Sequence, residues 1–404
     1  MKRFLLVSLV LLAGLMVLGV TNIRISGWPG NPVEEAVIMK NVEEFNNMQT
    51  DIVVEWQPIP GDFRQMLITQ YSAGTAPDLF YVEAFWFEEL AKQNMLLPLD
   101  LYIKRDDSFD IDWFYPNLIE AFKYEDRIYG IPKDFSTLAL VFNKKIFDQY
   151  DVAYPTDEDT WFDMLDKALQ LKRKGFETPL VLAADLNRIL PFVYGTGGDI
   201  VDEDLNVALG KPDAKFGLNF YLDLVNKYKV AQEPANLGAG WIGEAYGKER
   251  VAMAMTGPWT IGFLAGDYPE VLKNTGIVEM PHLIEKSTMV YTVSWSINRT
   301  TPNKDAAWEV LKFLVTKGQE RFVSEAGVLA SNIQNAEKDT DPTKQAFYRG
   351  AEYGTPWKVK TPSGVFSRAH DQLNSLLKDL FYQKISLSEA LTFVEENYPG
   401  WVAE

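Results

Sequence analysis

The 404-residue chain has no cysteine. That excludes disulfides, thiolate metal sites and thiol nucleophiles. It has two histidines, His282 and His370, too few and too far apart in sequence to favour a zinc hydrolase. Cations are in deficit, with 39 Lys and Arg against 56 Asp and Glu and a net charge of -17. A surface this acidic repels phosphate backbones, so nucleic acid is not an expected partner. There are no 20–50-residue repeats and no low-complexity linker. No G-x-x-x-x-G-K-[ST], H-E-x-x-H or G-x-S-x-G motif occurs. What is present is 47% hydrophobic and 13% aromatic, enough to build two or three packed domains.

Lys2 and Arg3 precede an apolar run from Phe4 to Val20, which reads as a secretory signal over residues 1–19. A retained membrane anchor is the other reading, since the run nears the length of a spanning helix. No second run of that kind follows, so a protein exported to the periplasm or cell exterior is expected.

Residues 22–26 alternate like a strand. Asn31, Pro32 and Glu34 then mark a helix start with a capping box. Ile38, Val42 and Phe45 form one apolar helix face. A strand over 51–57, a helix over 62–72 and a strand over 78–82 complete a strand–helix–strand–helix–strand order. That order predicts a parallel sheet with right-handed crossovers. Ligands gather beyond the carboxyl ends of such strands, here Gly27–Gly30 and Glu83–Phe87. A second α/β region follows, with helices at 144–149, 161–174, 213–229 and 242–249 and strands at 138–142, 179–183 and 251–255. Residues 276–280 and 290–297 look extended. From 303 the chain is mostly helical, over 303–315, 317–326, 343–352, 367–380 and 386–396.

Gly238-Ala239-Gly240-Trp241-Ile242-Gly243 matches G-x-G-x-x-G, but a loop precedes it where a dinucleotide site needs a strand. Asn298-Arg299-Thr300 fits a glycosylation sequon. Asp106-Asp107 and Asp157-Glu158-Asp159 read as solvated loops and helix-start charges rather than as a catalytic pair. The tryptophans say more. Trp161 and Trp308 sit mid-helix, like core residues. Trp28 in Gly-Trp-Pro-Gly, Trp259 in Gly-Pro-Trp-Thr, Trp86 after a strand end and Trp295 are placed where a cleft could display them. Flat rings of this kind stack on sugar C–H faces while nearby polar side chains bond the hydroxyls.

Several segments in order then resemble a known family. Ala73-Gly74-Thr75-Ala76-Pro77-Asp78-Leu79-Phe80 resembles an A-G-x-x-P-D strand entry. Ile128-Tyr129-Gly130-Ile131-Pro132, followed by Phe142-Asn143-Lys144-Lys145-Ile146-Phe147, resembles Y-G-x-P … Y-N-K-x-x-F. Gly247-Lys248-Glu249-Arg250-Val251-Ala252-Met253 with Gly257-Pro258-Trp259 resembles G-K-x-A-M … G-x-W. Ala306-Ala307-Trp308 with Phe313-Leu314, and Ser388-Glu389-Ala390-Leu391, resemble two later helices. The chain is similar to the extracellular solute-binding proteins of ABC importers, in the sugar-binding family that includes maltose-binding protein.

The resemblance implies an α/β, two-lobed, periplasmic-binding-protein-like fold of type II, with the ligand cleft between the lobes. It implies an N-lobe of residues 20–133 and 292–331 and a C-lobe of 134–291 and 332–404. It implies a non-enzymatic binding protein, monomeric and free of cofactor and metal, that passes a carbohydrate to a membrane permease. Its ligand positions fall on Trp259, Trp28, Glu83, Trp86, Asp134, Ser136, Trp295, Arg368 and His370. His370 stands where the family places a stacking tryptophan, and the charged residues that hold maltose near the first strand are not evident, so a sugar other than maltose is expected. A polyamine, phosphate-ester or amino-acid ligand, and a secreted carbohydrate-active enzyme, are the competing readings.

Overall fold

The computed structural model describes residues 20–29, 32–362 and 365–403. The expected leader, residues 1–19, lies outside them, as does Asn31 of the expected capping box.

The chain opens as its alternation predicts. Strand Thr21–Ser26, helix Pro32–Met48, strand Ile52–Trp56, helix Phe63–Ser72 and strand Leu79–Glu83 follow in order. Thr21–Ser26 pairs in parallel with both of the other strands. The Asp62 carboxylate caps the second helix by accepting from the Gln65 amide at 3.0 Å. The sheet is completed from far along the chain. Its order is Thr355–Pro356, Met289–Ile297, Leu79–Glu83, Thr21–Ser26 and Ile52–Trp56, with Ile131–Thr137 also pairing with Met289–Ile297. Helices Pro32–Met48, Lys304–Val315 and Lys317–Ala326 contribute Val37, Trp308, Leu311 and Phe322 to the core on this sheet.

A second sheet has the order Thr275–Val278, Ala139–Asn143, Met253–Thr256, Leu180–Val181 and Ala231–Gln232. Its largest core gathers Phe147, Trp161, Phe192, Tyr221 and Leu373. Leu138 alone separates strand Ile131–Thr137 of the first sheet from Ala139–Asn143 of the second. So short a crossing holds the two halves close without a tether. A third cluster, built from Leu118, Phe135, Val290, Leu329 and Phe347, lies where the crossing strands run.

Among the helices not expected from the sequence, two run against local propensity. Leu186–Tyr194 holds Pro191 in its interior, and Trp259–Asp267 starts straight after Gly257-Pro258 and carries two glycines. Both segments look like turns on local propensity; packing overrides it. Gly217 makes one such contact possible, because a Cβ there would strike the Phe192 carbonyl.

The acidic clusters are not simply solvated. Asp106 accepts from the Trp308 indole and from Lys312 Nζ, each at 2.8 Å. Asp159 is buried and takes Lys167 at 2.6 Å, and Asp157 pairs with Arg349 at 2.8 Å. Asp106 ties two helices together, while Asp157 and Asp159 anchor the loop before helix Trp161–Arg173 to helices Gln345–Tyr353 and Trp161–Arg173. Asn298 of the sequon is buried and donates to the Pro77 carbonyl at 3.0 Å, so it is not available to carry a glycan. Trp161 and Trp308 are core residues, as their mid-helix positions predict. Among the described residues no helix is long and apolar enough to cross a membrane.

Candidate ligand-binding cleft

Strand Met289–Ile297 organises the candidate site. Its register pairs Trp295 with Tyr81 and Ile131, Val293 with Glu83 and Asp134, and Tyr291 with Ser136. Side chains alternate between faces, so Tyr81, Glu83, Asp134, Ser136, Tyr291, Val293 and Trp295 share one side. The register shifts between Val293 and Ser294, where Pro132 and Lys133 oppose one residue. This bulge lets Ile131 and Asp134, three apart in sequence, face the same way, a common device beside binding sites.

That shared side runs from core to cleft. At its inner end Trp295 is 3% exposed, 4.4 Å from the Tyr81 ring and 6.4 Å from Trp56. Ile38, Leu314 and Phe322 lie around it, from the helices that cover the sheet. The expectation of a cleft-facing Trp295 is therefore corrected. Alternation chose the right side of the strand, but helices cover that side at Trp295.

Two residues outward, Glu83 is half-buried. Burial pushes its carboxyl up from the ordinary range, and the Trp86 side chain draws it part of the way back. Trp86 itself is buried, 6.4 Å from Phe63. It contributes through Glu83 and through packing, in place of the open platform expected of it. Trp28 is half-buried and edge-on to Phe63 at 5.5 Å and to Tyr81 at 5.1 Å. Asp134 forms an ion pair with the adjacent, nearly buried Lys133, whose ammonium lies 4.8 Å from the Tyr81 ring centre. The Lys133 and Asp134 charges also act on Glu34, whose carboxyl is pushed up chiefly by burial. Ser136 is half-buried beside Tyr291.

At the outer end Tyr291 meets the second half of the molecule. Trp259, the first residue of its helix, is 37% exposed and edge-on to Tyr291 at 5.7 Å. The Arg188 guanidinium lies 5.4 Å from the Trp259 ring centre and 6.0 Å from that of Tyr291. Tyr291 Oη donates to Asn187 Oδ1 at 2.8 Å. Burial pushes the Tyr291 hydroxyl up to about 12, with the Arg188 charge opposing and Asp185 and Glu83 adding to the rise. Glu83, from the first sheet, and Asp185-Asn187-Arg188, from the second half, thus address one tyrosine.

His370 and Arg368 divide. Arg368 is exposed near the start of helix Ser367–Phe381. His370 packs 5.1 Å from Phe85 and 5.7 Å from Trp357, and its Nε2 lies 2.9 Å from Asn374 Nδ2. It belongs to an aromatic contact that joins the two halves.

Sequence reasoning missed Phe85, Asn187, Arg188 and Tyr291 as site residues. Asp185-Leu186-Asn187-Arg188 directly follows the Leu180–Val181 strand region, where α/β sheets place ligands. That position was the available signal. A separate groove of about 650 Å³ lies against helices Pro32–Met48 and Lys304–Val315, lined by Phe45, Met48, Phe313 and Lys317 among others. It touches none of the residues just described.

Residues 30–321 match the family of bacterial extracellular solute-binding proteins. A maltotriose-binding protein of Pyrococcus abyssi is 24% identical over 362 residues, covering 86% of this chain and 76% of the relative. Among solved structures, an ABC substrate-binding protein of Listeria monocytogenes in complex with cycloalternan superposes with a TM-score of 0.81 at 24% identity, over 94% of this chain and 98% of that one. The sugar-binding protein of Xanthomonas citri superposes with a TM-score of 0.83 at 20% identity, over 95% and 97%. These neighbours show the two-lobed fold with its cleft between the lobes. With the family match running across most of the chain, the protein belongs to the bacterial extracellular solute-binding protein family.

Proposed function

We propose that this protein captures a sugar or oligosaccharide between its lobes and delivers it, chemically unaltered, to the permease of an ABC importer. The observation that carries the reading is the group of Trp259, Tyr291, Arg188 and Asn187, a partly exposed indole beside fixed hydrogen-bonding groups. A sugar needs both: an apolar plane for its C–H face and directional partners for its hydroxyls. The names of the maltotriose-binding relative and of the cycloalternan complex agree with that chemistry. The Arg188 cation within the group disfavours a polyamine, which would bring further positive charge to it.

Residues 20–133 with 292–331 form one lobe in this reading, and 134–291 with 332–404 the other. Trp259 serves as the main stacking ring. Glu83, Asp134 and Ser136 supply polar contacts from the shared side of the crossing strands, and Trp28 borders the cleft. Sugar binds one lobe and the other closes over it by hinge rotation. The ligand drives closure only by the excess of its affinity for the closed form. Shifting the balance from 1:99 to 99:1 takes about 5.5 kcal/mol. Stacking at ~0.5–1.5 kcal/mol per ring beyond area burial, together with several hydrogen bonds, supplies energy of that order. Export through the N-terminal segment, cleaved after residue 19, places the monomer where the permease can receive it. The acidic surface makes that docking sensitive to salt.

The test is a titration of the purified protein with mono- and oligosaccharides, following tryptophan fluorescence. Saturable quenching or enhancement by a sugar supports the reading. Silence across the sugars, with a response to spermidine, peptides or phosphate esters, overturns it. Product analysis after incubation with glycans separates binding from turnover.

A further inference from the structure

Arg188 stands out within the cleft. Its Nη1 is buried and has no hydrogen-bond acceptor among the described residues. The guanidinium nonetheless lies against both the Trp259 and Tyr291 rings, which touch each other edge-on, and the backbone at Arg188 is fixed by its N–H donating to the Asp185 carbonyl at 3.0 Å. A buried charged donor without an acceptor is costly, and an interaction that satisfies it regains that cost. Tyr291 Oη keeps acceptor lone pairs after donating to Asn187 Oδ1, but it makes no hydrogen bond with Nη1; the tyrosine meets the guanidinium through its ring.

We propose that Arg188 determines ligand specificity: its Nη1 donates to an uncharged oxygen, a hydroxyl or ring oxygen, of the same sugar unit that stacks on Trp259. The inference rests on the sugar-binding reading and deepens it by naming which side chain selects the ligand, and by what group. An uncharged acceptor follows from the neighbours. Asp185 and Glu83 bear on the same tyrosine as Arg188, so a ligand carboxylate would meet two acidic residues for one cation. A hydroxyl or ring oxygen accepts from Nη1 without that repulsion. The rigid planar fork of arginine also makes the contact directional, which a lysine would not reproduce.

The experiment uses the secreted chain and isothermal titration with maltotriose, galactotriose and arabinotriose. The tightest-binding sugar is then compared with its monodeoxy derivatives on wild type, Arg188→Met and Arg188→Lys. A hydrogen bond from a charged donor corresponds to a loss of about tenfold or more. Arg188→Met is expected to weaken the parent sugar by that factor with the melting temperature little changed. One monodeoxy derivative should lose about tenfold on wild type and nothing further on Arg188→Met. Arg188→Lys should show the same missing penalty, which provides the reading if the methionine variant folds poorly. Penalties that add independently at every position, or unchanged affinity for the parent sugar, overturn the proposal while leaving a sugar-binding protein. Arg188-dependent preference for the corresponding uronate overturns the uncharged acceptor. No binding of any sugar by wild type defeats the underlying reading, and this inference with it.

Discussion

Phe85 and Trp357 stack face to face, with ring centres 5.0 Å apart and planes 8° from parallel. Phe85 follows strand Leu79–Glu83, whereas Trp357 follows Thr355–Pro356 near the chain's other end. His370 and Phe366 pack edge-on against Phe85. Phe85 touches the cores of both sheets, so the stack is a joint between the halves. Trp357→Ala should cost about 3–5 kcal/mol, the range for emptying a buried aromatic site. Phe85→Ala should cost less, since Phe85 is only half-buried. A double-mutant cycle by urea denaturation should return about 0.5–1.5 kcal/mol of coupling. A cycle that closes to zero would mean that each ring packs independently.

Glu83 predicts a particular pH dependence. Its folded-state pKa is raised, mainly by burial, while in the unfolded chain it titrates near ~4.3. Between those two values the folded protein holds a proton that the unfolded chain has released. Stability therefore falls as pH rises through that window, and the loss persists above it. Glu83→Gln removes the titration. The variant should be more stable than wild type at pH 7, and the gain should shrink to nothing as pH drops below about 4. Paired denaturant curves from pH 3.5 to 7.5 measure the difference, and a gain independent of pH would contradict the burial argument.

Gly27 predicts a steric failure. A Cβ at this position would lie within the Tyr81 ring. Tyr81 cannot yield, because it is 2% exposed and hemmed in by Trp28, Trp56 and Trp295. Gly27→Ala should therefore cost about 1–3 kcal/mol through overpacking. It should also change the near-UV circular dichroism of the tryptophan cluster and weaken sugar binding several-fold by displacing Trp28. A normal melting temperature with an unchanged spectrum would show that Tyr81 has room to move.

The opening strand–helix–strand–helix–strand order was legible because each element carries its own period, and Gly-Pro-Trp singled out Trp259, though not the helix that it starts. Alternation could not tell Trp295 from Tyr291. Both lie on one side of one strand, and only the helices arriving from residues 32–48 and 304–326 decide that the first is covered. The bulge at Pro132-Lys133 was hidden for a related reason: it belongs to the pairing of two strands, and neither strand's own pattern records it. Arg188 escaped notice because a two-residue strand and a helix containing Pro191 give weak local signals. Its significance comes from a Trp259 and a Tyr291 far away in sequence.

Trp259 offers the sharpest separation of function from folding. It is the first residue of its helix and 37% exposed, so it contributes little to any core. Its neighbours are the Tyr291 edge and the Arg188 guanidinium, both of which keep other packing if the indole is removed. Trp259→Ala should therefore leave the melting temperature within a few degrees. Sugar binding should weaken at least about tenfold, which combines ~0.5–1.5 kcal/mol of ring interaction with the lost apolar contact area. Trp259→Phe, which keeps a flat ring of smaller area, should fall between the two. The ordering of the three dissociation constants by titration calorimetry is the check. Equal affinities would remove Trp259 from the site, and a large drop in melting temperature would make it a structural residue instead.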